Sequence, residues 1–257
     1  MLNDNHIRVL VDYENASDCF PGVDIAGGVC YFLWDRDNPG LCDVVNIRNN
    51  ETMHSVRALN EFDTFIRHDQ AASIVRKVCA FGEPMMSNMV SSRKPFGLPT
   101  VARPQESGDI LLRWQNGEGP YRRDEITVGR ELIDKWKVIT SYVGYDHAGN
   151  PGKDGKRRVF SKIDILPPRT ICTETYLVVG NFDTEQEAKK LVAYMKTLFF
   201  RFLVAQCMYS HHITKEAYRL VPIQDFSLSW TDEKLYAKYG ITDEEIKFIE
   251  SMVRPME

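Results

Sequence analysis

The sequence predicts an α+β fold, and two observations carry that prediction. Short β-branched and aromatic runs bounded by turn residues fill the first fifty positions and recur from Asp109 to Val179. Apolar residues at helical spacing, set behind capping residues, fill 69–79 and much of the chain after Thr184. With 257 residues, 43% of them hydrophobic and 26% charged, the chain can bury one large domain or one domain plus a fragment.

Val9–Val11 and Val29–Trp34 lack helical spacing and read as strands buried on both faces. Asn15, Ser17, Asp18, Pro21 and Gly22 make the connection between them a loop of turn residues. Phe20 lies in that loop, before a proline that restricts its backbone. Composition alone favours Phe20 as a core plug over a ligand contact. Asn38-Pro39-Gly40 is a turn, and Cys42–Ile47 reads as the return strand of a hairpin. Thr52–Leu59 is mixed in pattern. Asp69–Cys79 reads as a helix with Ala72, Ile74, Val75 and Val78 on one face.

Residues 84–104 are irregular and hold Ser91-Ser92-Arg93-Lys94-Pro95-Phe96-Gly97-Leu98-Pro99. That loop suits phosphate contact through Arg93 and Lys94, or a structural loop with Phe96 tucked inward. Asp109–Trp114 is a strand, Gly117–Pro120 a turn with Arg122 and Arg123 at its tip, and Lys135–Val143 a further strand. Gly144–Arg158 carries four glycines with Lys153, Lys156, Arg157 and Arg158, which predicts a mobile basic loop that orders on a polyanion.

Ile163–Leu166 and Ile171–Val179 are strands on either side of Pro167-Pro168. Thr184 and Glu187 form a capping box for one long helix. Ala188, Leu191, Val192, Met195, Leu198, Phe199, Phe202 and Leu203 are its apolar stripe, and Lys189, Lys190, Lys196 and Arg201 lie elsewhere on the cylinder. His211 and His212 are adjacent and diverge, so they suit a place near phosphate with Lys215, or a structural role, better than a shared metal. Thr231–Tyr239 ends at Gly240, and Thr242 with Glu245 caps a last helix over Glu244–Val253.

Asp18-Cys19-Phe20-Pro21-Gly22-Val23-Asp24-Ile25, followed by Gly27-Gly28-Val29-Cys30-Tyr31-Phe32-Leu33-Trp34-Asp35-Arg36-Asp37, resembles the end of the catalytic domain of TaqI-like N6-adenine DNA methyltransferases. The likeness is to the branch found in fused or multigene restriction–modification systems, where the phrase around Arg93-Lys94-Pro95-Phe96 is common. The stretch from Tyr176-Leu177-Val178-Val179-Gly180 to Ile246–Met252 is similar to that family's C-terminal specificity region, in the family's order. The resemblance implies the C-terminal strands of a Rossmann-like methyltransferase domain over 1–48, then a mixed α/β target-recognition domain over 49–257. It makes Phe20 the residue that stacks on the extruded adenine. It makes double-stranded DNA the partner and S-adenosylmethionine the cofactor of the parent enzyme.

Two family features are missing from the chain. The single Pro-Pro pair follows Leu166 and precedes Arg169, so there is no Asn-Pro-Pro-Tyr, and no glycine-bearing cofactor motif follows a first strand. The expectation is a chain that begins inside a larger methyltransferase. It would hold no catalytic residue, metal or cofactor of its own and would work with the remainder of the catalytic domain.

Net charge is −4, but residues 91–162 hold fourteen Lys/Arg against nine Asp/Glu, whereas 231–257 hold seven acids and four bases. A basic centre suits phosphate. Arg93, Lys94, Arg122, Arg123, Lys153, Lys156, Arg157 and Arg158 are the candidate DNA contacts. Six scattered cysteines without Cys-x-x-Cys read as reduced core residues of a cytoplasmic protein, and no apolar run is long enough to span a bilayer. Two other functions compete: an endonuclease component of such a system, and a protein-docking module. For the first, Glu187-Ala188-Lys189 and Glu245-Ile246-Lys247 have the glutamate–lysine spacing but read as solvated helix faces.

Overall fold

The computed structural model describes residues 1–23, 25, 27–48, 51–146, 152, 154–208 and 210–256. The first sheet comprises β1 (Ile7–Tyr13), β2 (Val29–Trp34), β3 (Cys42–Arg48) and β4 (Glu51–Arg57), in the order β2-β1-β3-β4. β1 is antiparallel to β2 and parallel to β3, while β3 and β4 pair antiparallel. Cys42–Ile47 is therefore not the return strand of β2. It crosses to the far side of β1, because its buried Cys42 and Val44 need an inner place in the sheet.

β2 is left at the edge, and Cys30 to Trp34 are all exposed. Burial on both faces, expected for both opening runs, fails for β2. Between β1 and β2 lies a one-turn helix, α1 (Ala16–Cys19), started by Asn15, whose side chain accepts from the Ser17 N–H at 3.1 Å.

The rest is layered. β5 (Ile110–Trp114), β6 (Gly117–Tyr121), β7 (Trp136–Ser141), β8 (Ile163–Leu166), β9 (Thr170–Cys172) and β10 (Tyr176–Phe182) form two sheets, ordered β10-β7-β8 and β6-β5-β9. Side chains alternate across β7 and β10 as strand geometry requires. Val138, Leu177 and Val179 point into a core shared with the helices. Ile139, Tyr176 and Val178 point the other way, into a second core with Ile110, Leu112, Ile171 and Phe96. Phe96 is thus tucked inward.

Two local readings change. Gly117–Pro120 is strand, and the reversal lies one step earlier at Gln115-Asn116. Ile171–Val179 is two strands, because the chain leaves one sheet and joins the other through Thr173-Glu174-Thr175.

Five longer helices are α2 (Asp69–Cys79), α3 (Glu185–Lys196), α4 (Leu198–Ala205), α5 (Asp232–Tyr239) and α6 (Asp243–Met252); α3 lies on the β10-β7-β8 sheet, α4 packs on α3, α5 and α6, and α2 packs on α6. The single long helix expected after Thr184 breaks at Thr197, whose backbone is extended. The Thr197 hydroxyl accepts from the Phe200 N–H at 3.1 Å, and the Asp232 carboxylate accepts from the Leu198 and Phe199 N–H groups at 2.9 and 2.8 Å. These bonds satisfy orphan donors and set an anion at the positive end of α4.

α4 is buried on nearly every side, so Arg201, off the apolar stripe, is enclosed all the same. That side chain is fully buried and donates to the carbonyls of Lys196, Arg158 and Arg254. At Thr184 the box is half made: its hydroxyl accepts from the Glu187 N–H and donates to the Glu187 carboxylate. The Thr242–Glu245 box is complete. All six cysteines are free. Cys42, Cys172 and Cys207 are buried, Cys19 and Cys79 half-buried, and Cys30 lies exposed on β2. Among the described residues no helix is long and apolar enough to cross a membrane.

Candidate nucleic-acid interface

The sheet switch at Thr173–Thr175 delivers a carboxylate, Glu174, to the rim of a groove of about 530 Å³. Arg93, Thr100, Gln115, Ser141, Tyr142 and His212 also line it. Glu174 is 8% exposed. Its Oε1 accepts from the Thr100 N–H at 3.0 Å and hydroxyl at 3.3 Å; its Oε2 faces Arg93 Nε at 3.1 Å and Lys94 Nζ at 3.6 Å. Burial would push this carboxyl up, but the Thr100 N–H and the two cations outweigh it and hold the pKa below the ordinary range.

The guanidinium of Arg93 lies 5.0 Å from the Tyr142 ring centroid. Tyr142 is stacked on His212, with centroids 4.5 Å apart and planes 24° from parallel. A short antiparallel bridge sets this stack: the Ile213 N–H donates to the Tyr142 carbonyl and the Gly144 N–H to the His211 carbonyl. Burial, then His211 and Arg93, lower the His212 pKa.

Two further arginine–aromatic pairs flank the groove. Arg103 sits 4.4 Å over Trp114, with its Nη1 donating to the carbonyl of Thr100, a groove residue. Arg158 sits 4.6 Å over Tyr145, beside groove residues Val143 and Ser161. Each pair presents a cation and a π face together, a combination suited to phosphate and base.

Residues next to two of these arginines are strained. Lys94 and Val159 have φ of 62° and 74°, unusual for a lysine and a true outlier for a β-branched residue. At Val159 the buried Asp146 carboxylate holds the turn, accepting from the Arg158 and Val159 N–H groups at 3.1 and 2.8 Å.

The other candidates separate. Arg122 and Arg123 meet Arg130 around an open depression that also holds Asp109 and Asp124. Arg122 pairs with Asp124 at 2.7 Å and Arg123 with Asp134, so both charges are partly neutralised. Lys156 is half-buried, and Lys153 lies outside the described residues, as do 147–151 of the expected mobile loop.

Arg157 turns inward, where it donates to the Ala205 carbonyl at 3.1 Å and faces Glu14 at 3.8 Å. Arg48 at 3.2 Å and His68 at 3.7 Å face the same carboxylate. Burial opposes ionisation of Glu14, yet His68, Arg48 and Arg157 hold its pKa at about 2. The Arg157 guanidinium thus joins the first sheet to the body and does not face the groove.

Phe20 is 54% exposed, so it does not plug a core. Its carbonyl accepts from the Val23 N–H at 3.0 Å, with Pro21 and Gly22 (φ 85°) between them, a pattern of type II turn character. That stiff turn holds the ring out.

The glutamate–lysine pairs show no nuclease arrangement. Lys189 pairs with Glu185 one turn back. Glu245 is buried rather than solvated, accepting from Ser73, Lys77 and Thr242. Among the described residues no group of three His, Cys, Asp or Glu side chains could hold a metal ion.

Comparison of the chain with protein-family models and with curated proteins returned no match. The sequence reading missed Tyr142 as a stacking partner and Glu174 in the groove, and beside it Trp114 with Arg103 and Tyr145 with Arg158. One signal was present: Glu174 is a lone charge in the apolar run Ile171–Val179.

Proposed function

We propose that the chain is the DNA-gripping, target-recognition part of a site-specific adenine DNA methyltransferase of a restriction–modification system. The observation that carries this reading is the set of three arginine–aromatic pairs around one groove: Arg93–Tyr142, Arg158–Tyr145 and Arg103–Trp114. Arg93, Lys94 and Arg158 meet phosphate in this account, and Arg122, Arg123 and Lys156 are outlying contacts. The exposed Phe20 on its turn suits capture of an extruded adenine, since a π face compensates for lost stacking.

The first sheet is the remnant of a Rossmann-like catalytic domain, a reading supported by the parallel β1–β3 pair. The remainder of that domain covers the edge strand β2, which is bare on both faces with Tyr31, Phe32, Leu33 and Trp34 about half exposed, and it brings S-adenosylmethionine. No residue of this chain is assigned to that cofactor. Six free cysteines suit a reducing, cytoplasmic setting.

Fluorescence anisotropy with labelled random duplex tests the reading. The three phosphate contacts of Arg93, Lys94 and Arg158 predict a slope of about −3 in log affinity against log salt, steeper where the outlying residues also engage. Absence of any binding at low salt overturns it.

A further inference from the structure

β5 and β6 form a two-stranded ribbon whose tip is two residues long, since Trp114 pairs with Gly117 and leaves only Gln115 and Asn116 outside the ladder. Both are exposed, and neither side-chain amide has a hydrogen-bond partner among the described residues. That open amide pair contrasts with Arg93, Thr100 and Glu174 in the same groove, which are tied to one another.

The stem beneath the tip is braced. Arg113 pairs with Glu118 across the ribbon and reaches Asp164 of β8 at 2.8 Å. Arg103 packs its guanidinium on Trp114, the last residue before the tip. Gln115 shares the groove wall with Arg93 and His212. A two-stranded ribbon fits the major groove, and a Gln or Asn amide pairs with the N6 and N7 atoms of adenine through one donor and one acceptor.

We infer that Gln115 and Asn116 form a specificity-determining tip that reads an adenine edge in the major groove, while the arginines beside them hold phosphate. The inference rests on the DNA-gripping reading above and goes beyond it by assigning base recognition to two residues. It also separates roles: loss of an amide relaxes preference at one position, whereas loss of Arg158 weakens binding to every sequence.

Selection from a random duplex library with the full chain tests it. The wild type is expected to enrich a motif with adenine at a fixed position. Gln115→Ala with Asn116→Ala should lower that preference about 5- to 150-fold, the effect of one lost bidentate contact, and leave the rest of the motif and the salt slope in place. Gln115→Arg should move the preference towards guanine. Both changes lie on an exposed turn, and an unchanged melting temperature verifies that the fold survives. A wild type that binds but enriches no motif, or amide variants that enrich the same motif as the wild type, overturns the assignment and leaves the DNA-gripping reading standing. A wild type that binds no duplex overturns both.

Discussion

Glu14 receives three side chains from three distant parts of the chain: Arg48 on β3, His68 just before α2, and Arg157 on the segment before β8. Its folded value of about 2 lies below the ordinary 4.5. The contribution to stability is therefore complete above the unfolded value and is lost as pH falls through the folded one. The size is on the order of 3 kcal/mol. Asp12 works in the opposite sense, because burial outweighs Arg67 and Asn46 and raises its pKa. Urea unfolding between pH 6 and pH 3 checks the point: the wild type should lose stability on acidification and Glu14→Gln should show a flatter profile. Parallel profiles would count against the cluster.

Two neighbouring arginines make a sharper pair of predictions. Arg157→Ala removes a buried partner of Glu14 and should destabilise the fold by about 3 kcal/mol, the scale for breaking a buried ion pair. Among the described residues the Arg158 side chain meets the exposed ring of Tyr145 rather than a buried charge, so on Arg158→Ala the melting temperature should hold while the salt slope of DNA binding falls in magnitude by about 0.9. The sequence reading treated the two as equals because adjacency says nothing about which side of the backbone faces the core. A buried Asp146 fixing a strained Val159 decides that, and no local pattern announces it.

Elements were legible where periodicity or a cap is strong. Asp69–Cys79 follows from its apolar face alone, since His68 makes no side-chain cap bond, whereas the helix closed by Gly240 and the Thr242–Glu245 box follow from their caps. Gly240 has φ 61° with no atom within 4 Å of where a Cβ would sit. Gly240→Ala should therefore cost only the backbone term, about 1 kcal/mol, and lower the melting temperature by about 2–4 °C. An unchanged midpoint would refute the left-handed cap.

Partners across the chain were not legible. The break at Thr197 depends on Asp232 arriving from α5, and Cys42–Ile47 finds its neighbour by burial rather than by proximity in sequence. The groove was legible only in part: Arg93, Lys94 and Arg158 were visible as charges, but the aromatic under each guanidinium comes from another element or a loop reversal. Glu174 reaches the rim only because the chain changes sheets there.

For the whole molecule, the largest departure from an ordinary soluble surface is β2. Tyr31, Phe32, Leu33 and Trp34 are each about half exposed on an edge strand, which is a template for association when nothing covers it. Sedimentation of the purified chain should show concentration-dependent self-association, and Leu33→Lys should reduce it; a wild type that stays monomeric at high concentration contradicts this view of the strand. The groove lies in the body of the molecule, on β7, the sheet switch before β10 and the loop after α4. The first sheet is joined to that body through Glu14 and Arg157. One experiment separates these two surfaces and tests the central claim, hydrogen–deuterium exchange of the full chain with and without duplex DNA. Protection is predicted over 91–100, 113–117, 141–146, 158–161 and 210–213, with β2 unchanged; protection confined to β2, or none in any of those segments, would contradict the account.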